Sequence, residues 1–344
     1  MESIEFSAGS VERFKEFVKS YQESDKVALI SHTDVDGIVS AKVVSRFFDY
    51  ELLKFVGYDE ISDDLVAELK EKGINRVVMT DLSIDDVGVV ERISEFAEVL
   101  VIDHHLFEKD FNSDKIVFMN AQGNCATYLS YYLFSMVEDV SKLDWLVACA
   151  CVADFMYFKN QDWMKGVYSK YGEEFDSSDS GIRKGKFWEV QYELDLALIY
   201  FKDDLLRVFE GIGENVFDLN DLDEGSSEVR EEIDSIVDGF ERDKEVFGDV
   251  YYYEIAPRFS VTSMVSTIVS VRNPHNTILI GKVKDDGFQI SARRQDKKKN
   301  MSELLKELVA GFEGSNAGGH VPAAGARILL KDKEEFKKRV EGLG

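Results

Sequence analysis

Short apolar runs alternate with amphipathic segments along the first 155 residues. The apolar runs have the length and β-branched content of buried strands, and they cover residues 27–30, 76–79, 99–102 and 116–119. The segments between them repeat hydrophobic side chains at helical spacing, and they cover residues 40–48, 63–72 and 84–96. This alternation predicts an α/β domain in which a mostly parallel sheet carries helices on both faces.

The pattern changes beyond this domain. Residues 159–186 are polar and predict loops, and residues 187–209 have a helical pattern. Residues 214–249 hold 14 acidic against three basic side chains, which is typical of a solvated connector. A second, smaller α/β domain is predicted from Tyr251 onward, with strands at 276–284 and 288–293, helices at 302–309 and 333–340, and glycine-rich loops between them. We therefore divide the chain into a catalytic domain (1–190), a helical acidic connector (191–249) and a substrate domain (250–344).

Composition excludes several classes of protein. The chain has 344 residues, enough for two domains with separate cores. No apolar run approaches the ~20 residues needed to cross a bilayer, so we expect no membrane association. An odd number of cysteines argues against a disulfide framework, and we expect Cys125, Cys149 and Cys151 to be buried core residues of a cytoplasmic protein.

Charge is distributed unevenly along the chain. The formal net charge is −25, which by itself disfavours a nucleic-acid partner. Residues 250–344, however, carry 16 Lys and Arg against 11 Asp and Glu. The acidic first part suits metal cations, and the basic last part suits phosphates.

Acids and histidines follow three of the predicted strands. His32, Asp34 and Asp36 follow the first, Asp81 the second, and Asp103, His104 and His105 the third, while Asp154 closes a helical run at 145–153. A single acid at a strand end is usually a helix cap. Three such ends meet at one edge of a parallel sheet, and here they contain three of the five histidines in the chain. Carboxylates beside imidazoles suit Mn²⁺ or another divalent first-row metal, so this edge is a predicted metal site.

The first of these strand ends has a regular spacing. Alternation in an extended segment would place His32, Asp34 and Asp36 on one side. Gly37 would then allow a tight turn into the following helix. Two metals need a shared bridging carboxylate and a separate ligand set on either side, and about five or six residues of the right type are available here.

These motifs resemble those of a known family. The run from His32 to Gly37, the isolated Asp81, the Asp-His-His at 103–105 and Asp154 look like the four motifs of the DHH phosphoesterase superfamily. Residues 314–325 resemble the Gly-Gly-His signature of its DHHA1 domain, and residues 291–293 resemble the Ser-x-Arg strand that accompanies it. The resemblance covers roughly residues 1–155 and 250–344.

The resemblance implies a role for each motif residue. His32, Asp34 and Asp81 would hold one metal ion. The other would be held by Asp36, Asp81, His104 and Asp154, with Asp81 as the bridge. His105 would face the substrate phosphate, and Asp103 would orient the histidines. The metals would be Mn²⁺, with Mg²⁺ or Co²⁺ as alternatives. Substrate would be bound by Ser291, Arg293, Arg294, Gly318, Gly319 and His320.

Two features of the last domain support phosphate binding from the residues themselves. The consecutive glycines Gly318 and Gly319 permit close approach of the backbone, so their N–H groups could form an anion-binding nest. The basic run 293–299 is either an ordinary surface loop or a track for the phosphate backbone of a single strand.

The function expected from the resemblance is two-metal hydrolysis of phosphodiesters by an activated water. We favour a RecJ-like exonuclease of the archaeal kind that acts in DNA repair on single-stranded DNA or RNA, in the 3′→5′ direction. One alternative is an oligoribonuclease (nanoRNase) with nucleotide-phosphatase activity, or a cyclic-dinucleotide phosphodiesterase. A second is a non-enzymatic replication or repair scaffold. The acidic segment 214–249 is a candidate docking site for a helicase or other repair protein.

Overall fold

The computed structural model describes residues 4–84, 87–178 and 180–344. The chain divides into two compact units, of which the first ends at Ser226 and the second is Ser227–Gly344. Each unit has its own sheet and its own buried core.

The elements of the first unit follow the predicted alternation. Its strands are β1 (Val27–Ser31), β2 (Tyr50–Phe55), β3 (Arg76–Thr80), β4 (Glu98–Asp103) and β5 (Ile116–Asn120). Its helices are α1 (Val11–Lys19), α2 (Val35–Val44), α3 (Asp63–Glu71), α4 (Val87–Ser94), α5 (Ala126–Phe134), α6 (Asp144–Ala153), α7 (Gln161–Lys170), α8 (Gly185–Tyr200) and α9 (Leu205–Gly211). Residues 85 and 86, which belong to the helix predicted at 84–96, lie outside the described residues.

The five strands form one parallel sheet in the order β2-β1-β3-β4-β5. Along β1, Val27 and Leu29 belong to one buried cluster, whereas Ala28 and Ile30 belong to another. A strand that is apolar on both faces needs helices on both faces, so the predicted fold class is confirmed. The strand that the sequence did not predict, β2, lies at the edge of the sheet, where partial exposure interrupts its apolar pattern.

Sequence reasoning set one helix boundary wrongly. The pattern predicted a helix at 40–48 after a turn at Gly37, but α2 begins at Val35. The helix starts early because the Asp34 side chain accepts a hydrogen bond from the Gly37 N–H (3.0 Å) and caps its N-terminus.

The segment after α6 continues the first core. The helical pattern at 187–209 is two helices, α8 and α9, and their buried residues Leu194, Phe201 and Val208 join the same cluster as one face of the sheet. The acidic segment contains the long helix α10 (Asp223–Asp243). Val229, Phe240 and the residues between them at helical spacing are buried, and most of its acids are exposed. This segment is therefore an amphipathic helix rather than a solvated connector throughout.

The second unit has a mixed sheet. Its strands are β6 (Glu245–Phe247), β7 (Val250–Ile255), β8 (Thr277–Lys284), β9 (Gly287–Arg293), β10 (Asn316–Gly319) and β11 (Ala323–Leu329), in the order β10-β11-β9-β8-β7-β6. Its later helices are α11 (Thr262–Arg272), α12 (Met301–Leu308) and α13 (Lys333–Glu341). Only β7 and β8 pair in parallel. The sequence predicted β8, β9, α12 and α13, but α11 is rich in β-branched residues, which disfavour a helical interpretation.

Two expectations from composition can be compared with the structure. All three cysteines are free and buried, as predicted. Among the described residues, no helix is both long and apolar enough to cross a membrane.

Candidate metal centre

The carboxyl ends of β1, β3 and β4 meet at one edge of the first sheet and bring the acidic motifs together. His32 follows β1, Asp81 follows β3, and His104 follows β4. Asp154 is the C-cap of α6. The six predicted metal ligands fall into groups whose candidate ligand atoms lie within 4.8 Å of one another.

The residues after β1 converge in a way that differs from the expectation. Alternation along an extended segment was predicted to place His32, Asp34 and Asp36 on one side, but only His32 and Asp34 precede the helix. Asp36 lies in the first turn of α2, so a strand-to-helix turn aims it at the same place. Gly37 lies inside this helix, where a Cβ would approach the His32 carbonyl oxygen to 2.3 Å. The glycine therefore permits close approach rather than an unusual turn.

Asp81 lies between two groups of donor atoms. On one side, its Oδ2 is 3.6 Å from His32 Nδ1, which is also 3.0 Å from Asp34 Oδ2. On the other side, its Oδ1 is 3.3 Å from His104 Nε2. That nitrogen is 3.8 Å from an oxygen of Asp36 and 3.8 Å from an oxygen of Asp154. A carboxylate that presents one oxygen to each group can bridge two cations.

The donor set fits cations rather than hydrogen-bond donors. Asp81 is 2% exposed, and within the described part of the chain neither its Oδ2 nor the buried Oδ2 of Asp154 has a hydrogen-bond partner. A buried anionic oxygen without a partner is costly in a folded protein. Oxygen and imidazole donors together suit a divalent first-row metal, which would neutralise these carboxylates.

The backbone of Asp81 is in an unusual conformation. Its φ is 58°, the left-handed region that non-glycine residues rarely adopt. The Asp81 N–H donates to the Ile102 carbonyl at the end of β4 (3.0 Å), which fixes this conformation. Strain of this kind commonly occurs where a side chain must be held in a particular place.

Electrostatics in the cluster favour bound protons when metal is absent. Burial and the nearby Asp36 raise the pKa of Asp81 well above its usual range. Burial and Asp36 likewise raise the pKa of Asp154 to about 8. Burial opposes protonation of His32, but the nearby carboxylates of Asp34 and Asp81 outweigh it and raise the pKa of His32 to about 10. Protons and metal cations therefore compete for the same donor atoms.

Asp36 is held by the start of another helix. Its two oxygens accept hydrogen bonds from the N–H groups of Ala126 (2.7 Å) and Thr127 (2.9 Å), the first residues of α5. These two hydrogen bonds at the start of α5 hold the Asp36 carboxylate in place beside His104. Sequence reasoning did not connect α5 with the site.

His105 is oriented from both ends of its ring. Its Nδ1 is 2.8 Å from Asp103 Oδ1, and its backbone N–H donates to Asp103 Oδ2 (3.1 Å). Its Nε2 is 3.2 Å from the hydroxyl of Tyr58. Burial opposes protonation, but the hydrogen bond to Asp103 outweighs it and raises the pKa of His105. The raised pKa extends to higher pH the range in which the ring is cationic and can donate to a phosphate oxygen.

Tyr58 is a site residue that sequence reasoning missed. Besides its contact with His105, its ring stacks on His32, with centroids 4.5 Å apart and planes at 6°. It follows β2, the edge strand that the apolar pattern failed to predict. Recognition of β2 would have shown a tyrosine at the same sheet edge as the acids.

Three predicted substrate residues of the second unit lie on one face of its sheet. Ser291 on β9 pairs with Gly325 on β11, which pairs with Gly318 on β10. Residues directly opposite in neighbouring strands share a face, so these three form a row, with Arg293 two residues along β9. A Cβ at Gly318 would meet no atom within 4 Å. This small-residue face is therefore open at Gly318.

Helix α11 orients the polar side chains of this face. The hydroxyl of Ser291 is 3.0 Å from that of Ser266, and the Arg293 guanidinium donates to Ser263 Oγ (3.0 Å). Burial lowers the pKa of Arg293. Both α11 serines were missed because α11 itself was not predicted.

The Gly-Gly-His segment is a strand end and turn rather than a loop nest. Gly318 and Gly319 end β10, and the exposed His320 begins the turn into β11, with its N–H donating to the Ala323 carbonyl (2.7 Å). Gly319 has φ 139°, and a Cβ there would lie 2.6 Å from the Ala323 carbonyl oxygen. The glycines are needed for this tight hairpin, so the predicted nest is corrected.

Arg294 does not belong to the small-residue face. Its side chain is 6% exposed, with Nη1 2.6 Å from Asp249 Oδ2 and Nε 2.8 Å from Asp296 Oδ1. Adjacent strand residues point to opposite faces, so Arg293 and Arg294 diverge. The guanidinium of Arg294 joins β8, β9 and the start of β7, and the proposed substrate role has no geometric support. Lys299 also pairs with Asp249 (2.7 Å), whereas Lys297 and Lys298 are exposed.

Family comparisons agree with this arrangement. Residues 26–157 match the DHH family, N-terminal domain, and residues 251–343 match the DHHA1 domain. The chain belongs to the DHH/DHHA1 superfamily. All six predicted metal ligands lie within the DHH match, and the small-residue face lies within the DHHA1 match.

Solved structures share the DHH/DHHA1 phosphoesterase fold at low identity. Exonuclease RecJ bound to manganese has a TM-score of 0.66 and 13% identity, covering 99% of this chain and 95% of that one. The pGpG-specific phosphodiesterase PggH from Vibrio cholerae has a TM-score of 0.55 and 11% identity, covering 92% and 98%. CDC45 from Entamoeba histolytica has a TM-score of 0.59 and 9% identity, covering 96% and 97%. No curated protein matches the sequence.

Proposed function

We propose that this DHH/DHHA1 protein is a two-metal phosphodiesterase that degrades single-stranded DNA or RNA from the 3′ end. The observation that carries the proposal is the position of Asp81, which presents one oxygen to each of two donor groups. The fold shared with manganese-bound exonuclease RecJ supports the substrate class.

The ligand sets follow from the two groups. His32, Asp34 and Asp81 would hold one cation, and Asp36, Asp81, His104 and Asp154 the other. Mn²⁺ suits this mixture of carboxylate and imidazole, and Mg²⁺ or Co²⁺ would be alternatives. Bound there, such metals supply Lewis acidity and a nucleophilic water of near-neutral pKa.

Residues beside the cluster would act on the phosphate. His105, oriented by Asp103, presents a protonated ring that can donate to a non-bridging phosphate oxygen as negative charge develops there. In the second unit, the Ser291 hydroxyl, the Arg293 guanidinium and the His320 imidazole would contact the phosphate and sugar of a nucleotide. Gly318 would leave space for that nucleotide on the sheet face.

A time course with Mn²⁺ tests this function. The substrates are single-stranded DNA and RNA of about 20 nucleotides, labelled separately at either end, beside a linear dinucleotide and a cyclic dinucleotide. Stepwise shortening of the long strands from the 3′ end is expected. If neither the long strands nor the two dinucleotides are cut, the proposal is contradicted.

A second candidate is hydrolysis of short oligonucleotides or cyclic dinucleotides. The net charge of −25 favours it, because a strongly acidic protein repels a long phosphate backbone, and PggH has a similar fold. Rapid cleavage of the dinucleotides with inert long strands would select this candidate. A non-enzymatic role, considered because CDC45 shares the fold, is disfavoured by the full set of donors in this chain.

Helix α10 is a proposed docking site for a helicase or other repair protein. Its exposed acids include Glu231, Asp234 and Asp238, while its opposite face is buried. Replacing these three acids with glutamine should abolish capture of a basic partner without changing hydrolysis. Unchanged capture would remove this part of the proposal.

A further inference from the structure

Three helices of the first unit end in the same backbone motif. At the end of α3, α6 and α7, one residue adopts the left-handed conformation: Gly73 (φ 68°), Phe155 (φ 56°) and Gly172 (φ 77°). In each case that residue and the next one close the helix with two hydrogen bonds. At the end of α3, Gly73 N–H donates to the Lys70 carbonyl and Ile74 N–H to the Leu69 carbonyl. At the end of α6, Phe155 N–H donates to the Val152 carbonyl and Met156 N–H to the Cys151 carbonyl. At the end of α7, Gly172 N–H donates to the Ser169 carbonyl and Glu173 N–H to the Tyr168 carbonyl.

Glycine is the residue that this motif favours. A side chain in the left-handed region places Cβ close to the backbone, which costs roughly a factor of ten in the folding equilibrium, whereas glycine has no such cost. Two of the three helix ends carry glycine. The third carries phenylalanine, and it is the end that adjoins the metal centre, because Phe155 directly follows Asp154.

Packing does not account for Phe155. Phe155 is 56% exposed, although Ala153 and Met156, which are close to it in the motif, pack against the core. A residue that is unfavourable for the backbone and also leaves its ring in solvent does not serve the stability of this unit. Exposed apolar side chains beside a functional site commonly mark a binding surface.

The surroundings of Phe155 specify the chemistry of the ligand. Leu106, which follows His105, is 81% exposed, and Tyr58 is 42% exposed above His32. Phe155 and Leu106 directly follow Asp154 and His105, and Tyr58 stacks on His32, so all three belong to the segments that form a cluster of four carboxylates, Asp34, Asp36, Asp81 and Asp154. Carboxylates repel a phosphate that no cation neutralises, but they do not repel the flat, uncharged face of a base. Aromatic rings bind bases of any sequence by stacking.

We propose that Phe155 is a stacking platform for an unpaired nucleobase of the nucleotide next to the scissile phosphate. The inference rests on the proposed phosphodiesterase function and deepens it, since a paired base has no free face to offer. It makes Phe155 a substrate-binding residue of the DHH unit that none of the acidic motifs includes.

The test compares loss of the ring with loss of the base. Phe155→Gly and Phe155→Trp are assayed with Mn²⁺ on single strands that carry either normal nucleotides or abasic ones at the terminal positions. On normal strands we expect Phe155→Gly to raise KM about tenfold and Phe155→Trp to stay near wild type. On strands that are abasic at the stacked position, wild type and Phe155→Gly should have equal KM, because neither can form the stack.

Thermal unfolding supplies a readout that does not depend on activity. Phe155→Gly should raise Tm, because glycine relieves the left-handed backbone, so weaker binding cannot be attributed to poor folding. The matched control is Gly172→Phe at the end of α7, which should lower Tm and leave KM unchanged.

The outcomes separate the two proposals. Normal KM in Phe155→Gly, or a tenfold rise that persists on the abasic strands, would overturn the stacking platform while the phosphodiesterase proposal stands. If wild type cleaves none of the strands, the phosphodiesterase proposal fails. The platform is then decided by fluorescence anisotropy with the same strands: loss of affinity in Phe155→Gly on normal strands only supports it, and equal affinity overturns it.

Discussion

The two units hold their polar groups in opposite ways. In the DHH unit, ionisable side chains from four chain segments converge below the surface, and the central one, Asp81, is 2% exposed. In the DHHA1 unit, the corresponding residues lie on a sheet face made of Ser291, Gly318 and Gly325, where the guanidinium of Arg293 is the charged group. The DHH unit therefore concentrates negative charge, and the DHHA1 unit leaves an open surface of small residues beside one positive charge.

This difference determines which kind of ligand each unit can accept. Buried carboxylates repel one another, as the raised pKa values of Asp81 and Asp154 indicate, and cations relieve that repulsion. An open floor of small residues lets a bulky group approach the backbone and a single guanidinium. The comparison predicts that substitutions in the DHH unit change metal binding, and that substitutions on the DHHA1 face change substrate binding.

The largest effect is expected from Asp81→Asn. An amide keeps the shape of the side chain but cannot bridge two cations, so hydrolysis should fall more than about a hundredfold and Mn²⁺ binding should be lost. The metal-free variant should unfold at a higher temperature than wild type, since a buried carboxylate has been removed from an acidic cluster. Activity is measured as kcat/KM, and metal binding by calorimetry.

Full activity in Asp81→Asn would refute the bridge. Asp332→Asn is a matched control outside the cluster, because its Oδ2 is also a buried oxygen without a hydrogen-bond partner among the described residues. That variant should keep both activity and Mn²⁺ binding.

Mn²⁺ affinity should rise steeply with pH. At neutral pH the metal must displace protons from Asp154, whose pKa is about 8, and from His32, whose pKa is about 10. For each proton that the metal displaces, Kd should decrease on the order of tenfold per unit rise in pH, as long as the pH is below the pKa of that group. A Kd that does not change between about pH 6 and pH 8 would show that these groups bind no metal.

The stability of the metal-free protein should change in the opposite sense. Both groups have a raised pKa in the folded state, so the stability they contribute is fully present below their unfolded pKa. For Asp154 it is lost as pH rises from about 4 to about 8, and for His32 as pH rises from about 6.5 to about 10. The Tm of the metal-free protein should therefore fall over this range, and Mn²⁺ should restore it most strongly at the alkaline end.

The two neighbouring arginines at the end of β9 should behave differently. Arg294→Ala removes the buried guanidinium that pairs with Asp296 and with the partly exposed Asp249, which keeps Lys299, and it should lower the free energy of unfolding by about 2–3 kcal/mol. Arg293→Ala should leave stability nearly unchanged and raise KM about tenfold, with Mn²⁺ binding intact. The pair is compared by denaturant unfolding and steady-state kinetics. If Arg294→Ala instead raised KM and Arg293→Ala lowered stability, the proposal that Arg293 binds substrate on the small-residue face would be contradicted.

Tyr58→Phe should have the smallest effect. The variant keeps the ring that stacks on His32 and loses only the hydroxyl near His105, so kcat should fall about threefold to tenfold with Mn²⁺ affinity unchanged. Tyr21→Phe is the control elsewhere in the same unit, where the hydroxyl accepts a hydrogen bond from the Asp49 N–H. Equal kcat in the two variants would show that the Tyr58 hydroxyl does not position His105.

The sequence predicted the metal centre better than the DHHA1 face for a physical reason. Acids and histidines directly after apolar strands are visible in a sequence, and parallel topology alone brings them to one edge. Even so, it could not reveal that Asp36 approaches from the first turn of α2 rather than along an extended segment, because the Asp34 cap starts the helix early.

The DHHA1 face depends on strand register, which the sequence alone left open. The row of Ser291, Gly325 and Gly318 exists because three strands pair antiparallel at those residues. The same register turns Arg294 away from that face and toward Asp249, so its predicted role in substrate binding has no geometric support. Tyr58 was missed for a related reason, since it follows an edge strand whose exposed side weakens the apolar pattern.

Anomalous diffraction from crystals grown with Mn²⁺ would count the bound ions and locate them. We expect two manganese peaks on opposite sides of the Asp81 carboxylate, about 3.5–4 Å apart, one beside His32 and Asp34 and the other beside Asp36, His104 and Asp154. No peak at Asp81, or a single ion that uses only one of its oxygens, would contradict a two-metal phosphodiesterase.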